Sequence, residues 1–197
     1  MYPAKPGLLI GFHGCEEAVR DDIITGKRAL NPSRNRHDWL GSGIYFWENN
    51  YMRAMDFAEN PPGKRKFENP CVLGAVIELQ FCLDLLDAAD LGKVKFSYDN
   101  LASHAKAIGL ELPHNKAVKN SSDLLIRELD CAVVEYLHLT RIEKGLKPFD
   151  SVRGVFIEGQ ALYPGAGFHD KNHIQICIRN PNCIKGFFLP RNEVKWN

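Results

Sequence analysis

Apolar residues gather in short runs near both ends of the chain and take up helical spacing in its middle. Leu8 to His13 alternates with period two and predicts a buried strand, with Leu8, Ile10 and Phe12 on one side and Leu9, Gly11 and His13 on the other. Glu16 to Thr25 sets Ala18, Ile23 and Ile24 among charged residues and predicts a helix that Gly26 stops. Lys27 to Ser42, polar and interrupted by Asn31-Pro32-Ser33, predicts a long loop. Gly43 to Phe46 predicts a second short strand, and Asn49 or Asn50 caps a helix running to about Glu59. Pro61-Pro62-Gly63 breaks that helix, and a polar, basic segment follows to Pro70.

Cys71 to Phe81 is the longest strand-like run. Leu85 to Leu110 is weakly patterned and predicts helix, and Asn115 to Asn120 predicts a linker. Ser121 or Ser122 caps the longest predicted helix, Asp123 to Lys144, which Gly145 ends. Within it Leu125, Leu129, Ala132, Val133, Tyr136 and Leu137 recur at helical spacing. Two or three strands follow, at Val152 to Glu158, His173 to Arg179 and Ile184 to Leu189. Strands at both ends with helices between them predict an α+β fold, one domain over residues 1–197 with a helical insertion at about 85–148. No Gly-x-Gly-x-x-Gly follows a strand and no Walker loop is present, which argues against a Rossmann or P-loop nucleotide site.

Composition narrows the function class. Apolar residues make up 45% of the 197, enough for a sizeable core, and charged residues 25%. A formal net charge of +1 argues against coating nucleic acid through bulk charge. The N-terminus has no long apolar run and no small-residue cleavage site, and no eighteen apolar residues run together, so neither a signal peptide nor a membrane span is predicted. The six cysteines are dispersed without a Cys-x-x-Cys pair, which predicts reduced, partly buried thiols in a cytoplasmic protein. His169, His173, Cys177 and Cys183 lack the tight ligand pair of a zinc site, so no metal is expected.

Strand alternation picks out candidate chemistry. Ile44 and Phe46 share a face, with Tyr45 opposite. Ile174, Ile176 and Ile178 share a face, with Gln175, Cys177 and Arg179 opposite. If the apolar faces meet the core, His13, Tyr45 and Gln175 line a common cleft.

Phe12-His13-Gly14, a helix ending at Gly26, then Leu40-Gly41-Ser42-Gly43-Ile44-Tyr45-Phe46 resembles ADP-ribosyltransferases of the diphtheria-toxin and poly(ADP-ribose) polymerase branch. That family carries a His-Gly at its first core strand, a Gly-x-Tyr-Phe strand after a variable loop, and a Glu at the start of a late strand. Here His173-Ile174-Gln175-Ile176-Cys177-Ile178 matches the third motif with Gln175 at the Glu position. The resemblance covers roughly residues 8–80 and 150–190 and implies an ADP-ribosyltransferase-like split β-core.

The resemblance also implies roles. NAD would be the ADP-ribose donor, with the Gly14 backbone on the nicotinamide carboxamide, His13 on the adenosine ribose and Tyr45 stacked on the nicotinamide ring. Phe57 is the candidate for the family's second aromatic, on the helix after the tyrosine strand. Glutamine can hydrogen-bond a ribose hydroxyl but has no charge and cannot act as a base, so Gln175 points to transfer of one ADP-ribose rather than chain elongation, with Glu158 and Asp170 as candidate helpers. The same glutamine leaves open a non-catalytic NAD or ADP-ribose binding module, and an NAD glycohydrolase is the third alternative. Cys15 reads as a small residue in a tight turn.

Two basic loops suggest an acceptor. Arg34 and Arg36, with Lys27 and Arg28, are candidates to meet the NAD diphosphate, and this loop or Lys64-Arg65-Lys66 could hold a nucleic acid, with Trp39 and Phe67 stacking on bases. Solvated surface is the plainer explanation of both. A nucleic-acid acceptor is favoured slightly over protein. By family analogy a small stand-alone transferase of this kind is the toxin of a toxin–antitoxin or phage-defence system, with an antitoxin as partner.

Overall fold

A computed structural model describes residues 7–61, 66–117 and 123–191. In chain order the elements are β1 (Leu9–Glu16), α1 (Glu17–Ile24), β2 (Ile44–Glu48), α2 (Tyr51–Glu59), β3 (Pro70–Ile77), β4 (Cys82–Asp84) and α3 (Ala88–Ala107). They continue with β5 (Asn115–Lys116), β6 (Ile126–Arg127), α4 (Glu128–Glu143), β7 (Ser151–Phe156), β8 (His173–Ile178) and β9 (Ile184–Phe188).

The fold is α+β. Seven strands form one mixed sheet in the order β4-β7-β8-β2-β1-β3-β9, with β4 and β7 parallel and the other pairs antiparallel. β3 and β4 lie near opposite ends of that order, yet only four residues separate Ile77 from Cys82, five steps with a reach of no more than about 18 Å. The sheet therefore curls. Inside the curl Ile44, Phe46, Ala75, Ile77, Leu79, Ile176, Ile178 and Cys183 form the main core. The other face carries α2 on Trp47 and Val72, and α4 on Leu83, Val152 and Cys177.

Local chemistry sets the start of α2 and the end of α1. The Asn50 side chain accepts from Arg53 N–H at 3.0 Å and starts α2. Gly26 takes φ 72° after α1, a left-handed geometry suited to glycine.

Three boundaries depart from expectation. The run from Cys71 to Phe81 is not one strand: β3 ends at Ile77, Gln80 turns to φ 52°, and the chain crosses to β4. The expected linker begins with a two-residue strand, β5, paired with β6. The fourth helix begins at Glu128 rather than Asp123, and Asn115 Oδ1 accepts from Leu129 and Asp130 N–H in place of a local cap. Ser121 and Ser122 lie outside the described residues. Among the described residues no helix is long and apolar enough to cross a membrane.

Candidate functional site

The sheet is almost divided between β1 and β2. Only Gly11–Glu48 and Phe12–Trp47 pair across that seam, whereas β1 stays paired with β3 from Leu9 to Glu16. Asn49 N–H donates to Ile10 C=O across the seam at 2.8 Å. Alternate residues send their backbone groups to the same side, so Phe12 and Gly14 also point toward β2. Phe12 meets Trp47, but Gly14 has no rung. The Tyr45 carbonyl that would receive its N–H instead accepts from His13 Nδ1 at 2.8 Å.

That contact fixes the imidazole. A carbonyl only accepts, so Nδ1 carries the hydrogen and Nε2 presents a lone pair. Burial lowers the His13 pKa, outweighing the raising effect of the Tyr45 carbonyl, so the ring is neutral at pH 7.

Paired residues on adjacent strands share a face. Phe12, Trp47, Gln175 and Gly154 therefore form one row across the sheet, and Tyr45, Cys177 and Val152 the next. Tyr45 and Gln175 share a face, in neighbouring rows. His13 belongs to the opposite face, with Gly11 and Cys15, and reaches the others only by bridging the seam. The expected apolar side of β1 is not its core side. Leu8 and Ile10 are exposed, whereas Gly11 makes room for Phe46 and Ile77.

Gly14 touches α2 directly. A Cβ there would lie 2.2 Å from the Ala54 carbonyl oxygen, so the missing side chain serves helix packing as well as the open seam. Tyr45 is held by its hydroxyl, which donates to Gly41 C=O at 2.7 Å and accepts from Leu40 N–H at 3.1 Å. Its pKa is raised, chiefly by burial, and the phenol stays protonated. Phe57 packs on Trp47, ring centroids 5.0 Å apart, one row from Tyr45.

Gln175 is covered by a residue far away in sequence. Trp39 Nε1–H donates to Gln175 Oε1 at 2.7 Å, and the indole meets Phe156 edge-on at 5.0 Å. The Arg127 guanidinium lies 5.1 Å from the Trp39 ring and 4.3 Å from that of Phe156. Trp39 is thus committed to this cover rather than displayed for base stacking. Arg34 and Arg36 are exposed on the loop before it, with no ion-pair partner among the described residues. Lys64 and Arg65 lie outside the described residues, and Lys66 and Phe67 line a surface hollow with Glu16, Glu17 and Asp21.

The other candidates are engaged. Glu158 accepts from Arg53 at 2.9 Å, and Asp170 Oδ1 accepts from Gln160 N–H at 2.8 Å. Cys15 sits within β1, not in a turn. Its Sγ is 4.0 Å from that of Cys71, and burial pushes its pKa up to about 12, so it is no nucleophile.

Three residues near Gln175 escaped the sequence reading as site residues. Trp47 Nε1, Arg53 Nε and His173 Nε2 are buried with no partner among the described residues. Trp47 and His173 rings lie 6.3 Å apart, and the Arg53 charge acts on His173. Alternation contained the signal for two of them. Trp47 follows Tyr45 by two, and His173 precedes Gln175 by two, on the same face.

No protein family and no solved structure matches the chain. It is similar to an uncharacterised protein of the archaeon Methanocaldococcus jannaschii, at 25% identity over 191 residues, covering 88% of this chain and 83% of the relative.

Proposed function

We propose that this protein is an ADP-ribosyltransferase with a split-sheet fold of that kind, moving one ADP-ribose from NAD to a macromolecular acceptor with release of nicotinamide. The observation that carries the reading is the open seam: the β1–β2 ladder stops at Phe12–Trp47, leaving the Gly14 N–H without its rung beside a neutral His13. A carboxamide, both donor and acceptor, is a fitting guest for a backbone without its rung. His13 Nε2 then accepts from a ribose hydroxyl, and Tyr45, fixed by Leu40 and Gly41, offers its ring to the nicotinamide. Gln175 uses Oε1 on Trp39 and keeps its amide N–H groups for the other ribose. Loss of nicotinamide leaves oxocarbenium character on the ribose, and the site's task is to position and stabilise it.

Nucleic acid is the favoured acceptor, supported by exposed Lys27, Arg28, Arg34 and Arg36 on one loop. A toxin role with an antitoxin partner rests on analogy alone. The test is labelled NAD incubated separately with RNA, DNA and protein. Label should enter one macromolecular fraction and be lost in His13→Ala and Tyr45→Ala. Tight NAD binding with neither label nor free nicotinamide would make the protein a binding module. Free nicotinamide without labelled acceptor would make it a glycohydrolase.

A further inference from the structure

We propose that His173 is the general base that takes the acceptor's proton, supplying what Gln175 cannot. The inference rests on the transferase reading above. A glutamine amide neither gains nor loses a proton near pH 7, so transfer to a hydroxyl or amine needs another group. His173 is two residues before Gln175 on β8, on the same face. The residue is 6% exposed, and its ring stacks on Phe156 at 5.2 Å.

Its hydrogen bonding fits the task. Nδ1 lies 2.7 Å from the Lys171 carbonyl, which must accept, so Nδ1 carries the hydrogen. Nε2 is left as a lone pair, buried and without a partner among the described residues. His138 in α4 also has a buried Nε2 without a partner, but only His173 shares a sheet face with Gln175, and there such an atom is a proton-accepting position held ready. The charged group facing it is Arg53 of α2, itself paired with Asp56 and Glu158, while Trp47 of β2 and Phe156 of β7 are uncharged. Burial first, with Arg53 adding to it, lowers the pKa to about 4, so the ring is unprotonated at neutral pH. The proposal requires the Trp39 indole, which lies against Phe156 and Gln175, to swing aside for the acceptor.

The step balances. As the acceptor oxygen bonds to the ribose C1′, its O–H proton passes to His173 Nε2. The C1′–N bond breaks with its electron pair on nicotinamide, which leaves neutral, and the imidazolium then releases its proton to solvent.

Two small nucleophiles separate a base from a structural residue. Methanol must lose a proton to react, whereas azide is already an anion. NAD is incubated with methanol or sodium azide, and nicotinamide and the sugar adducts are separated by mass spectrometry. His173→Gln should lose the methanol reaction by roughly 10²–10⁴-fold and keep the azide reaction within about threefold. Equal loss of both, or of neither, overturns the proposal. If the variant does not fold, the unaltered protein decides: its methanol reaction should be slower in deuterium oxide and its azide reaction unchanged, and no slowing overturns the proposal. A protein that forms adduct with azide but shows no such contrast retains the transferase reading without His173 as base. Failure of both nucleophiles at saturating NAD rejects the transferase reading and the base together.

Discussion

His13 replaces a rung of the β-sheet: its Nδ1 donates to the Tyr45 carbonyl at 2.8 Å, at the place where the Gly14 N–H would otherwise bond. One hydrogen bond thereby holds the seam open, sets the histidine tautomer and keeps a backbone donor free. His13 and Gly14 are adjacent, but the carbonyl they contend for is that of Tyr45, 32 residues along the chain on β2.

Removing that imidazole should act on ligand and fold together. His13→Ala loses a half-buried side chain–backbone hydrogen bond, worth about 1 kcal/mol of stability. It also lets the Tyr45 carbonyl take the Gly14 N–H and close the seam. NAD affinity, measured by calorimetry, should fall at least tenfold, about 1.4 kcal/mol. Unchanged affinity in a folded variant would remove His13 from the site.

Gly14→Ala tests the packing of α2. The new Cβ would lie 2.2 Å from the Ala54 carbonyl oxygen, with backbone on both sides, so the helix must move. A loss of about 3 kcal/mol in urea unfolding is expected. Gly26→Ala is the control. It has open space around it but φ 72°, and should cost about 1 kcal/mol. Equal costs at the two positions would show that contact with α2 is not what Gly14 serves.

These positions differ in how readable they are in the sequence. The Asn50 cap, the Gly26 stop and the Tyr45 strand are local signals, and each element appears where its residues predict it. The facing of β1 was not readable. Ile10 is exposed although it is apolar, and Gly11 marks the tightly packed side by what it lacks. The cover over Gln175 was not readable either, since Trp39 is 136 residues away. The start of α4 is set by Asn115, fourteen residues before Leu129, and no nearby cap announces it. Long-range partners leave no local pattern for propensity or periodicity to detect.

Gln175→Glu asks whether the missing charge limits the chemistry. A carboxylate can still accept the Trp39 Nε1–H, so the cover should survive and tryptophan fluorescence should stay as it was. Charge beside the developing oxocarbenium should then raise nicotinamide release by roughly tenfold, about 1.4 kcal/mol in the barrier. Gln175→Leu leaves the indole N–H unpaired and should lower both stability and rate. A glutamate variant slower than the original, with its fluorescence intact, would mean that the site depends on the neutral amide.

Acid should unfold the protein earlier than its carboxylates alone would dictate. His138 and His173 are both lowered to about 4, in each case chiefly by burial, with Arg179 adding to His138 and Arg53 to His173. In the unfolded chain both titrate near ~6.5. Their folded values lie below that, so as pH falls the unfolded state binds protons first. Stability is therefore complete above about pH 6.5 and is lost progressively toward pH 4, by about 3 kcal/mol for each histidine. His13 acts in the same direction. The paired carboxylates Asp56, Glu135 and Asp150, whose pKa values are lowered, add their loss only at more acid pH. Urea midpoints at pH 7, 5.5 and 4.5 should fall steeply, and His138→Gln, which can still donate to the Val134 carbonyl, should flatten the fall. A midpoint at pH 4.5 equal to that at pH 7 would show that these histidines are solvated in the folded protein, and would take with it the buried, unprotonated His173 on which proton transfer depends.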